Sequence, residues 1–224
     1  MNRLIPYSGE IYGYLLSGYR EASWLLEPLT ILALVGLLLA SRVWSDRHGR
    51  ILSAAWGLLF AGLIGVLASG FYHQTYQPYN WAGLYFGYAA MAQAGLIAVW
   101  GLGLVHRRGR FRPEITRSWD SILALGCLAL AAGLGPLLRL EGGEPPVIAQ
   151  AVGLTPLASW VAFAAIAVLS RAPWWLWPLP TVLVLWEAGR AWVLEIPGDG
   201  LLAAAFLGLL VTRALHGLGH RDGG

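Results

Sequence analysis

Residues 51–72 read ILSAAWGLLFAGLIGVLASGFY, a run without a single Asp, Glu, Lys or Arg. A transmembrane helix needs about 20 predominantly apolar residues to cross the hydrocarbon core of a bilayer, and this run is long enough. With six further apolar stretches, the predicted spans cover residues 24–43, 51–72, 82–105, 120–140, 152–170, 174–194 and 200–216. Helices are expected because in lipid a helix satisfies every backbone polar group within its own segment. The sequence predicts an all-α fold, a polytopic transmembrane helical bundle of about seven spans.

The composition agrees with a protein that uses lipid as its solvent. The chain has 224 residues, of which 57% are hydrophobic and 12% charged, whereas an ordinary soluble domain carries about 25% charged residues. The net charge of +3 comes from 15 arginines and no lysine, and these arginines flank apolar spans. A basic face for nucleic acid is therefore not predicted. Cys127 is the only cysteine, which excludes an intramolecular disulfide and a thiol-rich metal site.

The arginines indicate how the chain is oriented. Eleven of the fifteen lie in every second gap or at the C-terminal end, at positions 42, 47, 50, 107, 108, 110, 112, 117, 171, 213 and 221. Positive charge marks the cytoplasmic side of a membrane protein. The pattern predicts a bacterial inner-membrane protein with its N-terminus outside and its C-terminus in the cytoplasm.

The chain is predicted to form a single integral membrane domain, 1–224. Residues 24–216 form the transmembrane bundle and residues 217–224 a cytoplasmic tail, while residues 1–22 form an interfacial segment. Within that segment, apolar and tyrosine residues recur at the spacing of an amphipathic helix, namely Ile11, Tyr12, Leu15, Leu16 and Tyr19. A frayed, tyrosine-rich tail is the alternative.

The tryptophans and the glycines lead to two further predictions. Seven tryptophans fall near span ends, where indole rings anchor a protein at headgroup level: Trp24, Trp44, Trp81, Trp119, Trp174, Trp175 and Trp177. Gly83 and Gly87 form a GxxxG face on the third span, which allows a close helix contact.

Ionisable residues within apolar spans are costly and call for an explanation. Glu187 and Arg190 lie three residues apart in the sixth span, where one helix face can pair them. The pair either fixes the packing of neighbouring helices or lines a cavity. His73, at the end of the second span, is expected to be hydrogen-bonded, to bind a metal or to act as a proton carrier. A bis-histidine haem site is not expected, because no second histidine stands at a matching depth.

By the predicted orientation, most of these polar groups lie in the outer half of the bundle. They form a candidate polar pocket open to the periplasm, with Gln93 near mid-membrane as its floor: Tyr72, His73, Asn80, Gln93, Thr155, Glu187, Arg190 and Asp199. No phosphate-binding glycine loop, HExxH, GxSxG or CxxC motif is present. The sequence therefore identifies no catalytic residue, metal site or cofactor, and predicts a protein that is not an enzyme.

The residues from 70 to 93 match a known pattern. Gly70-Phe71-Tyr72-His73 is followed by Tyr76, Asn80, Phe86-Gly87 and Gln93. This stretch resembles a bacterial family of small multi-pass membrane proteins catalogued only as a domain of unknown function, in which a similar G-x-Y-H…N…F-G…Q pattern crosses the second and third spans. The likeness extends to Tyr19, Trp24 and Pro28, to Gly153-Leu154-Thr155-Pro156, to Pro180…Trp186 and to Asp199-Gly200-Leu201-Leu202. The resemblance covers most of the chain, is moderately specific, and implies the multi-pass architecture and the choice of candidate residues.

The chain departs from that family at three places. Trp81 follows Asn80 where the family usually has proline, and Leu157 stands where a cysteine is common. Glu187 and Arg190 stand where small residues are typical. This last departure means either that a site of the family is not carried over or that this member has specialised.

Three functions are consistent with these features. The leading prediction is a non-enzymatic integral membrane protein, an accessory or assembly subunit of a larger bioenergetic membrane complex, photosynthetic or respiratory. Its partners are then the lipid bilayer and other membrane subunits. The first alternative is a transporter or sensor of a small solute that uses the outer polar pocket, and the second is a redox or pigment-binding subunit that uses His73.

Overall fold

The computed structural model describes residues 9–23, 25–43, 49–104, 118–140, 155–194 and 199–219. The α-helices in these ranges are α1 (Gly9–Ala22), α2 (Leu26–Val43), α3 (Gly49–Val66), α4 (Ala82–Gly101), α5 (Trp119–Leu140), α6 (Pro156–Leu169), α7 (Pro178–Leu194) and α8 (Asp199–Gly219). A π-helical segment, Leu67–Tyr76, continues α3 without a break, and a 3-10 turn, Trp174–Leu176, precedes α7. These ranges contain no strand, so the predicted all-α class is confirmed for them.

Each predicted span contains one helix, and the differences lie at the helix ends. The second span runs on to Tyr76 because the π segment extends α3 beyond residue 72. The sixth begins at Pro178 instead of residue 174, since a proline is suited to the first turn of a helix and the preceding residues form the 3-10 turn. Several predicted features fall outside the described residues, namely residues 1–8, the arginine-rich gap at 105–117, residues 151–154 and the tail from residue 220.

The predicted N-terminal helix is present as α1, and one face of it is buried against the π segment. Tyr12, Leu16 and Tyr19 are buried, whereas Tyr14 on the opposite face is exposed. The ring of Tyr19 lies so close to Gly70 that an added Cβ there would meet Tyr19 Cε2 at 2.7 Å. A glycine at position 70 therefore allows α1 to approach the π segment.

Helices α3 and α4 form an antiparallel pair held by close backbone contact. A Cβ added to Gly57 would lie 2.5 Å from the Cα of Gly101, and Ser53 Oγ donates a hydrogen bond of 2.9 Å to the Gly101 carbonyl. The predicted GxxxG face is also in close contact, because Gly83 lies under the ring of Tyr76 and the following backbone at Gln77. Small residues thus allow α4 to pack along α3 and the π segment.

Helix α6 is the most buried element of the described bundle. All 14 of its residues are buried, and it packs against α5, α7, α8 and α3. Its length is about 21 Å at 1.5 Å per residue, which is less than the hydrocarbon thickness of about 30 Å. Because every residue of α6 is buried, the neighbouring helices cover it on all sides.

Two helices among the described residues are long and apolar enough to cross a membrane, Gly49–Tyr76 with 28 residues and Ala82–Gly101 with 20. Shorter apolar helices cover Leu26–Ser41, Trp119–Ala132 and Pro156–Leu169. The chain is thus a helical protein with two candidate membrane-spanning helices, while seven spans and the orientation of the chain stay predictions.

The exposed tryptophans lie close to helix ends. Trp81, Trp119, Trp174 and Trp175 are exposed, which anchoring at headgroup level requires. The expectation is wrong for Trp177, which is buried because its ring packs against Phe206 at a centroid distance of 6.3 Å. Trp24 and Trp44 lie outside the described residues.

Candidate functional site

The π segment departs from α-helical geometry and forms one wall of the site. Two hydrogen bonds of 2.9 Å join residues five apart and reflect its wider turn. Thr75 Oγ1 donates to the Gly70 carbonyl, and the Gln77 amide donates to the Tyr72 carbonyl. Runs of π-helix are rare and occur frequently at functional sites. Here the segment buries the rings of Phe71, Tyr72 and Tyr76 together on its inner side.

Helix α7 has the reverse of the polarity pattern of a soluble helix. Its charged residues face inward, where Glu187 is 1% exposed and Arg190 2% exposed. Apolar residues lie on both faces: Leu183 and Val184 are buried, whereas on the outer face Val182 is 61% exposed and Trp192 88% exposed. This arrangement is favourable when the surrounding solvent is apolar, because lipid does not solvate an outward-facing charge.

Glu187 and Arg190 form the ion pair that their spacing predicts, and residues from other helices surround it. Arg190 Nη2 donates to Glu187 Oε2 within α7. The phenol of Tyr72 donates a hydrogen bond of 2.9 Å to the other carboxylate oxygen, Oε1. The pair is therefore tied to the π segment as well as to its own helix.

Arg190 also binds the N-terminal helix α1. Its Nη2 donates to the phenolic oxygen of Tyr12 at 2.5 Å, and its Cζ lies 3.7 Å from the centroid of the Tyr12 ring. The Tyr76 ring lies 5.7 Å from the same carbon. Cation–π contacts of this kind are worth about 2 kcal/mol when desolvated. One guanidinium thus joins α1, the π segment and α7.

Asp199, the first residue of α8, completes the group. It is buried, and its charge acts on Tyr12. Burial raises the pKa of the Tyr12 phenol well above its usual value, the charges of Glu187 and Asp199 act in the same direction, and that of Arg190 opposes them. Tyr12 therefore stays neutral and keeps its proton at any ordinary pH.

These six residues are called the buried ion cluster below: Tyr12, Tyr72, Tyr76, Glu187, Arg190 and Asp199. The cluster contains two carboxyl groups, those of Glu187 and Asp199, and one guanidinium group, all buried. Because the six residues come from four elements, the cluster also fixes how α1, the π segment, α7 and α8 lie against one another.

Asn80 is attached to the edge of the cluster. Its Nδ2 donates a hydrogen bond of 3.0 Å to the Tyr76 phenol, and its Oδ1 accepts one of 2.9 Å from the Ala82 amide at the start of α4. Satisfying an otherwise unpaired amide at a helix start is a usual role of asparagine. Asn80 therefore connects the first turn of α4 to the ring that faces Arg190.

His73 lies between the π segment and α4, beside the cluster. The imidazole is half-buried, and a Cβ added to Gly87 would meet its Cε1 at 2.4 Å. The Tyr88 ring contacts it edge-on at a centroid distance of 5.0 Å. No group of three or more His, Cys, Asp or Glu side chains that could hold a metal ion occurs in the described ranges. The imidazole of His73 thus packs between Gly87 and the ring of Tyr88.

Gln93 and Thr155 have contacts of their own. Gln93 Nε2 donates a hydrogen bond of 2.9 Å to the Leu176 carbonyl in the 3-10 turn. That carbonyl lies before the start of α7 at Pro178, and Glu187 is about 14 Å further along the helix. Thr155 is buried at the start of α6, where its carbonyl accepts a hydrogen bond of 2.7 Å from Ser159 Oγ. The structure thus brings together Tyr72, Glu187, Arg190 and Asp199 of the predicted pocket and attaches Asn80.

Two members of the cluster, Tyr12 and Tyr76, were not predicted as site residues. A signal for them exists in the sequence, since a buried guanidinium has five N–H donors and one carboxylate cannot satisfy them all. Additional oxygen or aromatic partners are therefore required. Tyr12 is one of the tyrosines on the buried face of α1.

No protein family model, no curated protein and no solved structure matches this chain. The resemblance to the bacterial multi-pass family therefore stays a prediction that rests on the residues quoted above.

Proposed function

We propose that this chain is a multi-pass protein of the bacterial inner membrane, with about seven spans, and that it serves as a non-enzymatic accessory or assembly subunit of a larger membrane complex. The observation that carries the proposal is the reversed polarity of α7. Its charged side chains are engaged inside the buried ion cluster, and its outer face offers apolar and aromatic side chains to lipid or to a neighbouring protein.

The aromatic side chains at the helix ends support a role in lateral contacts. Trp81, Trp119 and Trp192 are all exposed in the isolated chain. Tryptophan is enriched where binding energy is concentrated in protein interfaces, and it is equally suited to the headgroup region of lipid. In a complex these rings would be covered by another protein, whereas in a monomer they would be covered by lipid.

Native gel electrophoresis distinguishes the two. Membranes are solubilised in a mild detergent, and the proteins that migrate with the chain are identified by mass spectrometry, with absorbance recorded on the same band. We expect migration with a larger complex, weakened by Trp192→Ala and retained in the matched variant Val182→Ala on the same face of α7. Recovery of the chain as a small, monodisperse species from native membranes would contradict the proposal.

A second function, sensing or transport of a small solute, is favoured by the two buried carboxyl groups of the buried ion cluster beside a π-helical segment. This function predicts thermal stabilisation of the purified protein by some member of a panel of small amines and monovalent cations. Glu187→Gln should abolish the effect, whereas Glu21→Gln on the exposed side of α1 should preserve it. Equal stabilisation of both variants would exclude the cluster as the binding site.

A further inference from the structure

A second group of charged and aromatic side chains lies where α6 connects to α7. The connection consists of Arg171, Ala172 and Pro173, followed by the 3-10 turn that begins at Trp174. Arg213, from the last turns of α8, reaches this connection. It lies fourteen residues after Asp199, about 21 Å along α8, so this group is at the opposite end of the bundle from the buried ion cluster.

Arg213 is held firmly against the connection. Its Nε donates a hydrogen bond of 3.0 Å to the Ala172 carbonyl, and its Cζ lies 5.3 Å from the centroid of the Trp174 ring. The hydrogen bond uses only the Nε–H, and the guanidinium has four further N–H donors. A guanidinium can bind a phosphate through two such donors at once.

Arg171 adds a second positive charge at the same place. It is exposed, and its backbone has a φ of 50°, the one positive φ found at a non-glycine residue among the described ranges. Glycine or asparagine is the usual residue in this conformation. The charge of Arg171 acts on Arg213, so the two guanidinium groups repel each other. An anion bound between them would offset this repulsion by attracting both groups.

The surroundings indicate which anion fits. Trp174, which contacts Arg213, and the next residue, Trp175, are both exposed, and indole rings are characteristic of the headgroup level of a membrane. In the predicted orientation this end faces the cytoplasm, where basic pockets between transmembrane helices bind anionic lipid headgroups. We infer that Arg171, Arg213 and Trp174 form a binding site for the phosphodiester group of an anionic phospholipid. The inference rests on the membrane location given under the proposed function.

The test uses the full chain purified in detergent, with phosphatidylglycerol, cardiolipin, phosphatidylethanolamine and inorganic phosphate as separate probes. Native mass spectrometry counts the retained lipids, and the shift in melting temperature is followed as each probe is titrated. Arg213→Gln removes one charge. Arg171→Asn removes the other and keeps a residue that tolerates the positive φ. Arg50→Gln, an exposed arginine at the start of α3, is the matched control.

We expect the wild type and Arg50→Gln to bind phosphatidylglycerol or cardiolipin more tightly than phosphatidylethanolamine. Arg171→Asn and Arg213→Gln should each weaken this binding roughly tenfold, the effect of losing one charge-assisted hydrogen bond. Melting temperatures without lipid, measured first, separate lost binding from lost folding. Equal binding of all lipids, equal affinities of the three variants, or equal stabilisation by inorganic phosphate would overturn the inference.

Failure of the membrane location itself is recognised separately. In that case the chain is recovered in the soluble fraction after carbonate extraction, whatever its affinity for lipids. Recovery in the membrane fraction without selective lipid binding would refute the lipid site alone.

Discussion

Replacement of Arg190 by methionine tests the buried ion cluster most severely. The substitution keeps much of the side-chain volume and removes the charge, so that Glu187 stays buried with the Tyr72 phenol and without its guanidinium partner. Removal of one partner of a buried pair costs about 3–5 kcal/mol, since the remaining charge is left uncompensated. The lost contacts to Tyr12 act in the same direction. We expect a loss of about 4 kcal/mol, read from that range.

The assay is reversible unfolding in a mild detergent, followed by near-ultraviolet circular dichroism, with Arg50→Met as the control for a surface arginine. The double variant Glu187→Gln/Arg190→Met removes both charges and should recover a large part of the loss, because the buried carboxylate is then absent. A cost for Arg190→Met no greater than that of Arg50→Met would refute the reasoning. The reasoning would also be refuted if the double variant lost as much stability as Glu187→Gln and Arg190→Met lose in sum.

Two further predictions concern packing and pH. Gly87→Ala places a Cβ against the His73 imidazole and should lower the free energy of unfolding by about 1–3 kcal/mol. The control Gly95→Ala, on the same helix, meets no atom within 4 Å and should be tolerated. Both variants are unfolded under the same conditions, and equal stability would contradict the contact between residue 87 and His73. Burial raises the pKa of Tyr19 from 10.0 to about 12, so its contribution to stability is complete below pH 10 and is lost as the pH rises towards 12. Melting temperatures measured between pH 8 and 11.5 should therefore fall less steeply for Tyr19→Phe than for the wild type, and identical slopes would contradict the predicted shift.

The helices were predictable because each depends on local composition. Apolar stretches bounded by arginine, glycine and proline predict all seven helices from α2 to α8, and the spacing of Tyr12, Leu16 and Tyr19 predicts α1. The π segment was not predictable, because its residues have no compositional signature. Its wider turn is accompanied by tertiary contacts, with Tyr19 beside Gly70 and the imidazole of His73 beside Gly87.

The site was predictable where its members are close in sequence. Glu187 and Arg190 are three residues apart, and helical geometry alone pairs them. Tyr12 and Arg190 are separated by 178 positions, and Tyr72 and Glu187 by 115, so these contacts depend on how whole helices pack. Gln93 was assigned to the pocket from its position along the third span, which is the only guide that the sequence provides. In the structure, the side chain of Gln93 binds the 3-10 turn at the other end of α7.

The central claim, that the chain crosses the inner membrane with its buried ion cluster towards the outside, is tested most directly by cysteine labelling. In a Cys127→Ala background, single cysteines replace exposed Tyr79, in the turn before α4, and exposed Ser118, just before α5. A membrane-impermeant maleimide is then applied to spheroplasts before and after disruption. The account predicts that Tyr79→Cys is labelled in intact spheroplasts and Ser118→Cys only after disruption. Labelling of both positions from the same side would contradict it.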